Sequence, residues 1–513
     1  MPTATAGTSR RSPSARPAAD LERNTVSDNE TRTYDVVVIG AGPVGENVAD
    51  RTSAAGLRTV IVESELVGGE CSYWACEPSK ALLRPALLYR EAARFPGVAS
   101  AVTGRIDAAA VLKHRDRMAA EWNDEDQLAW LDFVGVDLVR GHGRLDGARR
   151  VTVRTPEGGT VHLDARHAVA VCTGTSAASP PLPDLDGLRP WTSREATAAQ
   201  SVPDRLAILG GGVVAVEMAT AWQALGARVT LIARESRLLE RVEPFAADLV
   251  ADRLREVGVD LRLGTTIAAA RREAGGVRLV LADGAQLVAD ELLSATGRVP
   301  RTADLGIDTV GLTPGDWLTT DDTLTVPGIE GQWLYAVGDV NRRALLTHQG
   351  KYQARIAGAV IAARARGQEL DTGRWGRHAA TADSDAVPQV VFTDPEIAAV
   401  GLTTAEAARA GRAVDVVDYE IGHVAGAVQH DPGYRGRARV LIDPARGVVV
   451  GATFAGPGVT ELLHSATVAI AGEVPLERLW HAVPSFPTLG EVWLRLLETY
   501  RDQREPPKRR GVG

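Results

Sequence analysis

Two cysteines stand five positions apart in the stretch GGECSYWACEPSK, residues 68–80, of a chain that holds only three. Such a pair can staple a fold, bind a metal, or open and close as a redox couple. In a regular helix, residues five apart have Cα atoms about 8–9 Å apart. A disulfide needs about 4.4–6.8 Å. Cys71 and Cys76 can therefore bridge only across a distorted helix start. Gly68 and Gly69 permit an irregular approach, and Pro78 is tolerated only in a first helical turn. So tight a loop gains little stability from closure, which favours a reducible bond over a staple. Zinc would need two more thiolates or histidines, and none lies near in sequence, so no metal site is expected. Cys172, in AVAVCTGT, reads as a buried residue at a strand end.

The elements that must position this pair are legible around it. YDVVVIGAGPVGENVADRTSAAGLRTVIVES reads as strand, glycine turn, helix and strand. Val36 to Ile39 form the continuous apolar run of a parallel strand covered on both faces. Gly40 permits the tight turn, Gly42 a close approach of pyrophosphate, and Gly45 close helix–strand packing. The helix N-terminus then offers its partial positive charge to phosphate. Glu63 ends the second strand, 23 residues after Gly40, where it can accept bonds from ribose hydroxyls. A glycine turn without ligand is the bland alternative, and the complete strand–turn–helix–acid context argues against it.

RLAILGGGVVAVEMATAWQALGARVTLIARES repeats the pattern, with Gly210, Gly211 and Gly212 in the turn and Ala215 as the third small residue. Arg234 stands where Glu63 stood, with Arg237 nearby. An acid there repels a 2′-phosphate and an arginine can bind it, so NADPH is favoured over NADH. A solvated surface arginine is the alternative in so Arg-rich a chain. From Val387 onward the pattern changes to strands followed by helices, an α+β domain.

The formal net charge is -8, with 57 basic and 65 acidic residues interspersed, so no basic stripe points to nucleic acid. No apolar run approaches the roughly 20 residues of a membrane span. The first 33 residues are polar, and Arg10-Arg11 is followed by SPSARPAAD and not by an apolar stretch. A disordered tail and a cytoplasmic chain are expected, since three cysteines make no disulfide framework.

Two nucleotide folds and a reducible cysteine pair resemble the flavin-dependent pyridine nucleotide-disulfide oxidoreductases, in the branch of dihydrolipoamide dehydrogenase, glutathione reductase and mercuric reductase. GGECSYWACEPSK is similar to the family's active-disulfide segment, CTGT and SATGRVPRT to its conserved turns, YAVGDV to its ribityl-binding segment, and PQVVFTDPEIAAVGLTTAEA to the start of its interface domain. The resemblance runs from Tyr34 to about Tyr500. It implies an α/β architecture: two Rossmann-like, three-layer nucleotide-binding domains plus a C-terminal α+β dimerisation domain. Residues 1–33 are then the tail, 34–185 and 301–366 the two parts of an FAD domain, and 186–300 an NAD(P) domain. Residues 367–386 are a linker, 387–500 the interface domain of a homodimer, and 501–513 a C-terminal tail.

By position, the resemblance implies that Gly40, Gly42, Gly45 and Glu63 hold FAD, with Gly143, Thr173, Gly174 and Thr175 lining it. Asp339 would bind the ribityl hydroxyls, and Leu345, Leu346, Thr347 and His348 would pack near the isoalloxazine. Cys76 would be the thiolate over the flavin, Cys71 the outer sulfur that exchanges with substrate, and Lys80 a flavin-side lysine paired with Glu217. Gly210, Gly212, Arg234 and Gly297 would serve the nicotinamide cofactor.

One position departs from the pattern. Most of the family carries a His-Pro-Thr segment with a nearby glutamate, the histidine acting as acid/base on the partner's outer sulfur. Here the stretch is HAVPSFPTLGEVW: Pro487, Thr488 and Glu491 hold their places, but Phe486 replaces the histidine. A positioned acid/base contributes about 10²–10⁴-fold. His481, five residues earlier, reads as a helix-end histidine, and Glu491 could act only through a water. Four readings follow. The enzyme reduces a small-molecule disulfide with another acid, or its electrons go to a quinone for which Phe486 offers an apolar face. It reduces mercuric ion, although the sequence has no cysteine after Cys172. Or it is a non-catalytic redox-sensing flavoprotein, against which the intact cysteines, fingerprints and Lys80 argue.

Overall fold

In a computed structural model that describes residues 30–180 and 185–504, the run Val36–Ile39 is fully buried because its two faces meet two different cores. Val36 and Val38 pack on Val48, Ala49, Ala357 and Ile361, which come from the helices Pro43–Ala54 and Thr347–Ala365. Val37 and Ile39 pack on Val151, Leu163 and Leu334 from neighbouring strands. The strand Glu30–Ile39 lies between parallel partners Thr59–Glu63 and Thr160–Val171 in a seven-stranded sheet. Leu334–Ala336 joins the same sheet parallel to Thr160–Val171, although the chain has crossed another domain in between.

That other domain has a four-stranded parallel sheet, with Arg205–Leu209 between Arg228–Ala233 and Glu291–Ser294. Its helix Val213–Ala224 is buried almost throughout, which explains its lack of a polar face. A five-stranded antiparallel sheet forms the core of the C-terminal domain, and Val448–Gly456 at its centre is buried at every position. These are the two Rossmann-like domains and the α+β domain expected. No described helix is long and apolar enough to cross a membrane.

Three boundaries differ from the sequence reading. Residues 30–33, assigned to the tail, already pair with Val161–Asp164, and the strand begins at Glu30. Cross-strand hydrogen bonds order a polar segment that has no apolar signature of its own. The rest of that tail lies outside the described residues. The last helix, Glu491–Arg504, continues past 500 because Arg504 reaches Asp415; residues 505–513 of the C-terminal tail lie outside the described residues. The stretch 367–386 is not an open linker. Ala380 is buried, and Asp383 accepts bonds from Arg343 and Gln349 at 2.8 and 2.7 Å.

The helix Cys76–Arg94 carries the redox segment at one end and a three-domain junction at the other. Arg94 from this helix and Arg253 from the second domain both donate to Asp394 of the C-terminal domain, each at 2.9 Å, with Arg90 at 4.0 Å. Burial works to raise the Asp394 carboxyl, and the Arg94 and Arg253 guanidiniums more than reverse it, holding it below the usual range. Asp394→Ala would leave buried Arg90 and its neighbours without a common counter-charge. The expected cost is about 2–3 kcal/mol, discounted for the part-exposed Arg94. Scanning calorimetry checks it, and an unchanged first transition would contradict the junction's role.

Candidate active site

The chain breaks twice to bring the two sulfurs together. A one-turn helix Gly69–Tyr73 carries Cys71, and Cys76 opens the helix Cys76–Arg94. Between them Trp74 (φ -138°, ψ 3°) and Ala75 (φ -135°, ψ -94°) leave the helical region. Gly68 (φ 110°) and Gly69 (φ 60°) supply the irregular, left-handed approach, and a further break falls at Trp74-Ala75 between the cysteines. A Cβ on Gly69 would sit 2.7 Å from Gly42 Cα. Glycine is needed there so that the redox segment can rest directly on the first fingerprint turn. Trp74 is fixed by Thr197, which donates to its carbonyl at 2.8 Å, and by Arg194 stacked 4.2 Å from its ring.

Both cysteines are free thiols in this structure, and Thr347 Oγ1 lies 3.3 Å from Cys71 Sγ and 3.2 Å from Cys76 Sγ. Donation from Cys71, then from Thr347, with the nearby Lys80 charge, outweighs burial and holds the Cys76 thiol down at about 6. The same contact with Cys76, together with burial, pushes Cys71 up. The thiolate is therefore favoured at Cys76 over Cys71. Lys80 Nζ donates to Glu217 Oε2 at 3.0 Å and lies 4.8 Å above the Phe392 ring. Glu217 is almost fully buried, and its other oxygen accepts the Phe392 amide at 3.0 Å. The second domain and the C-terminal domain jointly aim the lysine.

Cys71, Cys76, Lys80 and Glu217 line a cleft of about 840 Å³ that runs from the cysteines along the first fingerprint turn to Glu63. A Cβ on Gly45 would meet Gly40 O at 1.8 Å, so strand and helix touch backbone to backbone. Glu63 accepts the Ala41 amide at 2.7 Å and the Glu65 amide at 2.8 Å, which fixes its carboxylate on the rim. Gly143, Thr173, Gly174, Thr175, Asp339, Leu345, Leu346 and Thr347 also line the cleft. Thr173 Oγ1 is buried without a partner among the described residues, an orphan donor that a ligand would satisfy. Thr175 donates to Asp339 at 3.0 Å, and burial raises the Asp339 carboxyl. The donor set, the glycine cradle and the orphan hydroxyl fit the adenosine, diphosphate and ribityl parts of FAD.

Other expected residues lie apart. His348 turns to the Pro388 carbonyl at 2.7 Å and does not line the cleft, because one helical step rotates it away from Thr347. Gly210, Gly212 and Gly297 sit outside the lining, but Val213, Val214 and Met218 from the second fingerprint helix open onto it. Arg234 follows the strand Arg228–Ala233, is 81% exposed, and pairs with its neighbour Glu235 at 2.7 Å. Phe486 is 76% exposed, and neither it nor Glu491 reaches the cleft within one chain. Glu491 Oε1 accepts from Arg495 at 2.7 Å, while Oε2 is buried and unpartnered among the described residues.

Sequence reasoning missed an arginine cluster on the cleft wall. Arg298, Arg301 and Arg194 converge on Glu70 at 2.9, 2.6 and 2.8 Å. Burial works to raise the Glu70 carboxyl, and the Arg298, Arg194 and Arg301 charges pull it below the usual range. Arg298 and Arg301 were visible in SATGRVPRT, but their common partner lies more than 200 residues away, at a separation of 228 for Arg298.

Residues 34–364 match the pyridine nucleotide-disulphide oxidoreductase family and residues 387–496 its dimerisation domain. Dihydrolipoyl dehydrogenase 3 of Pseudomonas aeruginosa is 32% identical over 90% of this chain and 96% of its own. A mercuric reductase of Shigella flexneri is 31% identical over 86% of this chain and 77% of its own. LpdA of Mycobacterium tuberculosis has the same fold, with a TM-score of 0.76 at 25% identity over 91% of this chain and 99% of that one. The chain is therefore an enzyme using FAD and NAD(P)H, and it belongs to the class I branch of the pyridine nucleotide-disulphide oxidoreductase family.

Proposed function

We propose that this homodimeric flavoenzyme takes electrons from NADPH in preference to NADH and delivers them through Cys71 and Cys76 to a small-molecule disulfide. The observation that carries the reading is the pair of sulfurs lining the cleft, both in contact with Thr347 Oγ1, with Cys76 opening the helix that carries Lys80. Bound FAD supplies the two-electron exchange between nicotinamide and dithiol. The chain's own residues do the rest. Glu217 and the Phe392 ring hold Lys80 on the inner side, where its charge favours the Cys76 thiolate. Cys71 attacks one sulfur of an incoming disulfide and releases the other half, and Cys76 then displaces the half that remains.

Arg234 supports the nicotinamide preference. It is exposed at the end of its strand, and among the described residues its Nε and Nη2 pair with the adjacent Glu235, leaving Nη1 to meet a 2′-phosphate. A second reading, reduction of a quinone-type acceptor, is favoured by Phe486, an exposed apolar ring at the position where the family places an acid/base.

Three outcomes are expected. Arg234→Ala raises KM for NADPH by about tenfold or more and leaves KM for NADH within about twofold, as loss of one charge-assisted contact requires; steady-state kinetics with both coenzymes reads this. Cys71→Ser abolishes disulfide reduction by more than about 10³-fold, since it removes the nucleophile. If wild type reduces quinones and no disulfide, the second reading replaces the first. In the NADPH-reduced enzyme, iodoacetamide alkylation should rise through an apparent pKa of about 6, because the folded-state thiol is held down there. A rise only at the ordinary cysteine value of about 8.5 would contradict the polarised pair.

A further inference from the structure

The helix that carries Cys71 is too short to hold its own position. Gly69–Tyr73 is a single turn, and Trp74 and Ala75 break it from the helix that carries Cys76. Tyr73 ties it inward, its hydroxyl donating to the Val67 carbonyl at 2.8 Å. On the cleft side, the residue before Cys71 is Glu70. Its Oε1 accepts from Arg194 Nε at 2.8 Å and from Arg301 Nη2 at 2.6 Å, and its Oε2 accepts from Arg298 Nη2 at 2.9 Å. On the other flank of Cys71, Trp74 is held by the Arg194 guanidinium, 4.2 Å from its ring, and by Thr197, which donates to its carbonyl at 2.8 Å.

These holding residues come from the two stems by which the chain enters and leaves the second domain. Arg194 and Thr197 lie on the helix Ser193–Ala198, shortly before the strand Arg205–Leu209 of that domain's sheet. Arg298 and Arg301 follow its strand Glu291–Ser294, where Arg298–Pro300 pairs with Thr175–Ala177 of the first domain. The stems are themselves fixed. Arg194 places its two Nη atoms on Glu65 at 3.0 and 2.7 Å, and Arg298 donates to the Thr175 carbonyl at 2.7 Å. Cys71 is thus flanked on both sides by anchors of the interdomain stems, whereas Cys76 begins a 19-residue helix that its own backbone bonds hold.

We propose that Glu70 is a positioning residue: gathered by Arg194, Arg298 and Arg301, its carboxylate holds Cys71 in register with Cys76 and so sets the redox potential of the pair. The inference rests on the proposed function's reading of the two cysteines as a couple that opens and closes. Closure by oxidised glutathione forms the Cys71–Cys76 S–S bond and breaks the glutathione S–S bond. The dithiol gives up two electrons and two protons, and two glutathione thiols take them. A held Cys71 loses little freedom when the bond closes, and a released one loses more. Release therefore favours the open dithiol and makes the potential less negative. Charge alone acts differently. Loss of the Glu70 carboxylate leaves excess positive charge beside Cys71, which favours a thiolate and the open pair, whereas loss of an arginine does the reverse. Positioning gives both changes the same sign, and charge gives them opposite signs.

The test equilibrates the holoenzyme, without nicotinamide, in mixtures of reduced and oxidised glutathione. Acid quenching, alkylation and peptide mass then give the fraction bridged between Cys71 and Cys76. Glu70→Gln and Arg194→Gln each break the clamp, with opposite changes of charge. Both should retain FAD absorbance and lower the equilibrium constant for closure about tenfold, a shift of about 30 mV toward less negative potential. Shifts of opposite sign, a shift in one variant only, or wild-type potentials in both overturn the positioning role. A wild-type enzyme that forms no Cys71–Cys76 bridge in oxidised glutathione would instead overturn the proposed function, and the positioning role with it.

Discussion

The site depends on one steric constraint, the backbone contact between Gly42 and Gly69. A side chain at residue 69 would lie within 2.7 Å of Gly42 Cα, so the redox segment can sit on the first fingerprint turn only if it begins with glycine. Everything downstream inherits this registration. It sets the one-turn helix that carries Cys71, the break at Trp74-Ala75, and the start of the helix that carries Cys76 and Lys80. That helix is long, so its far end must be held too. Asp394 does so by gathering arginines from two other domains. The cysteines are thus fixed at one end by a glycine contact and at the other by a buried charge cluster.

Electrostatics then differentiates two chemically identical thiols. Both are largely buried, which alone disfavours a thiolate on either. Cys76 is favoured because it opens a helix and lies near Lys80, whereas burial raises Cys71. A similar balance operates on the cleft wall, where Glu70 and Glu65 stand beside Arg194, Arg298 and Arg301. Arg298 also donates to Thr175, which donates to Asp339, so the wall and the cleft floor share one hydrogen-bond chain. Removing one member would disturb its neighbours, as coupled networks do.

The Phe486 substitution gains a specific meaning against this arrangement. Within one chain the residue lies away from the cleft and faces solvent, as expected of a segment that serves a second copy in a dimeric family. Its ring can shape a substrate's surroundings but cannot move a proton.

The sequence by itself determined the cofactor folds and the reactive pair. Glycine spacing, apolar runs and the acid at Glu63 are local patterns, and local patterns survive in one dimension. Cys71 and Cys76 announced themselves by rarity and spacing. Pairing Lys80 with Glu217 was legible only through the resemblance, because 137 residues separate them. The tertiary structure alone decided three things. It added a second helix break at Trp74-Ala75, between the two cysteines, beyond the irregular approach at the glycines. It placed Thr347, some 271 residues from Cys76, against both sulfurs, a proximity that no periodicity encodes. It also gathered Arg194, Arg298 and Arg301 around Glu70, since in an Arg-rich chain only folding distinguishes a solvated arginine from a partnered one. Backbone geometry is written in neighbouring residues, whereas side-chain partnership is set by where the chain returns.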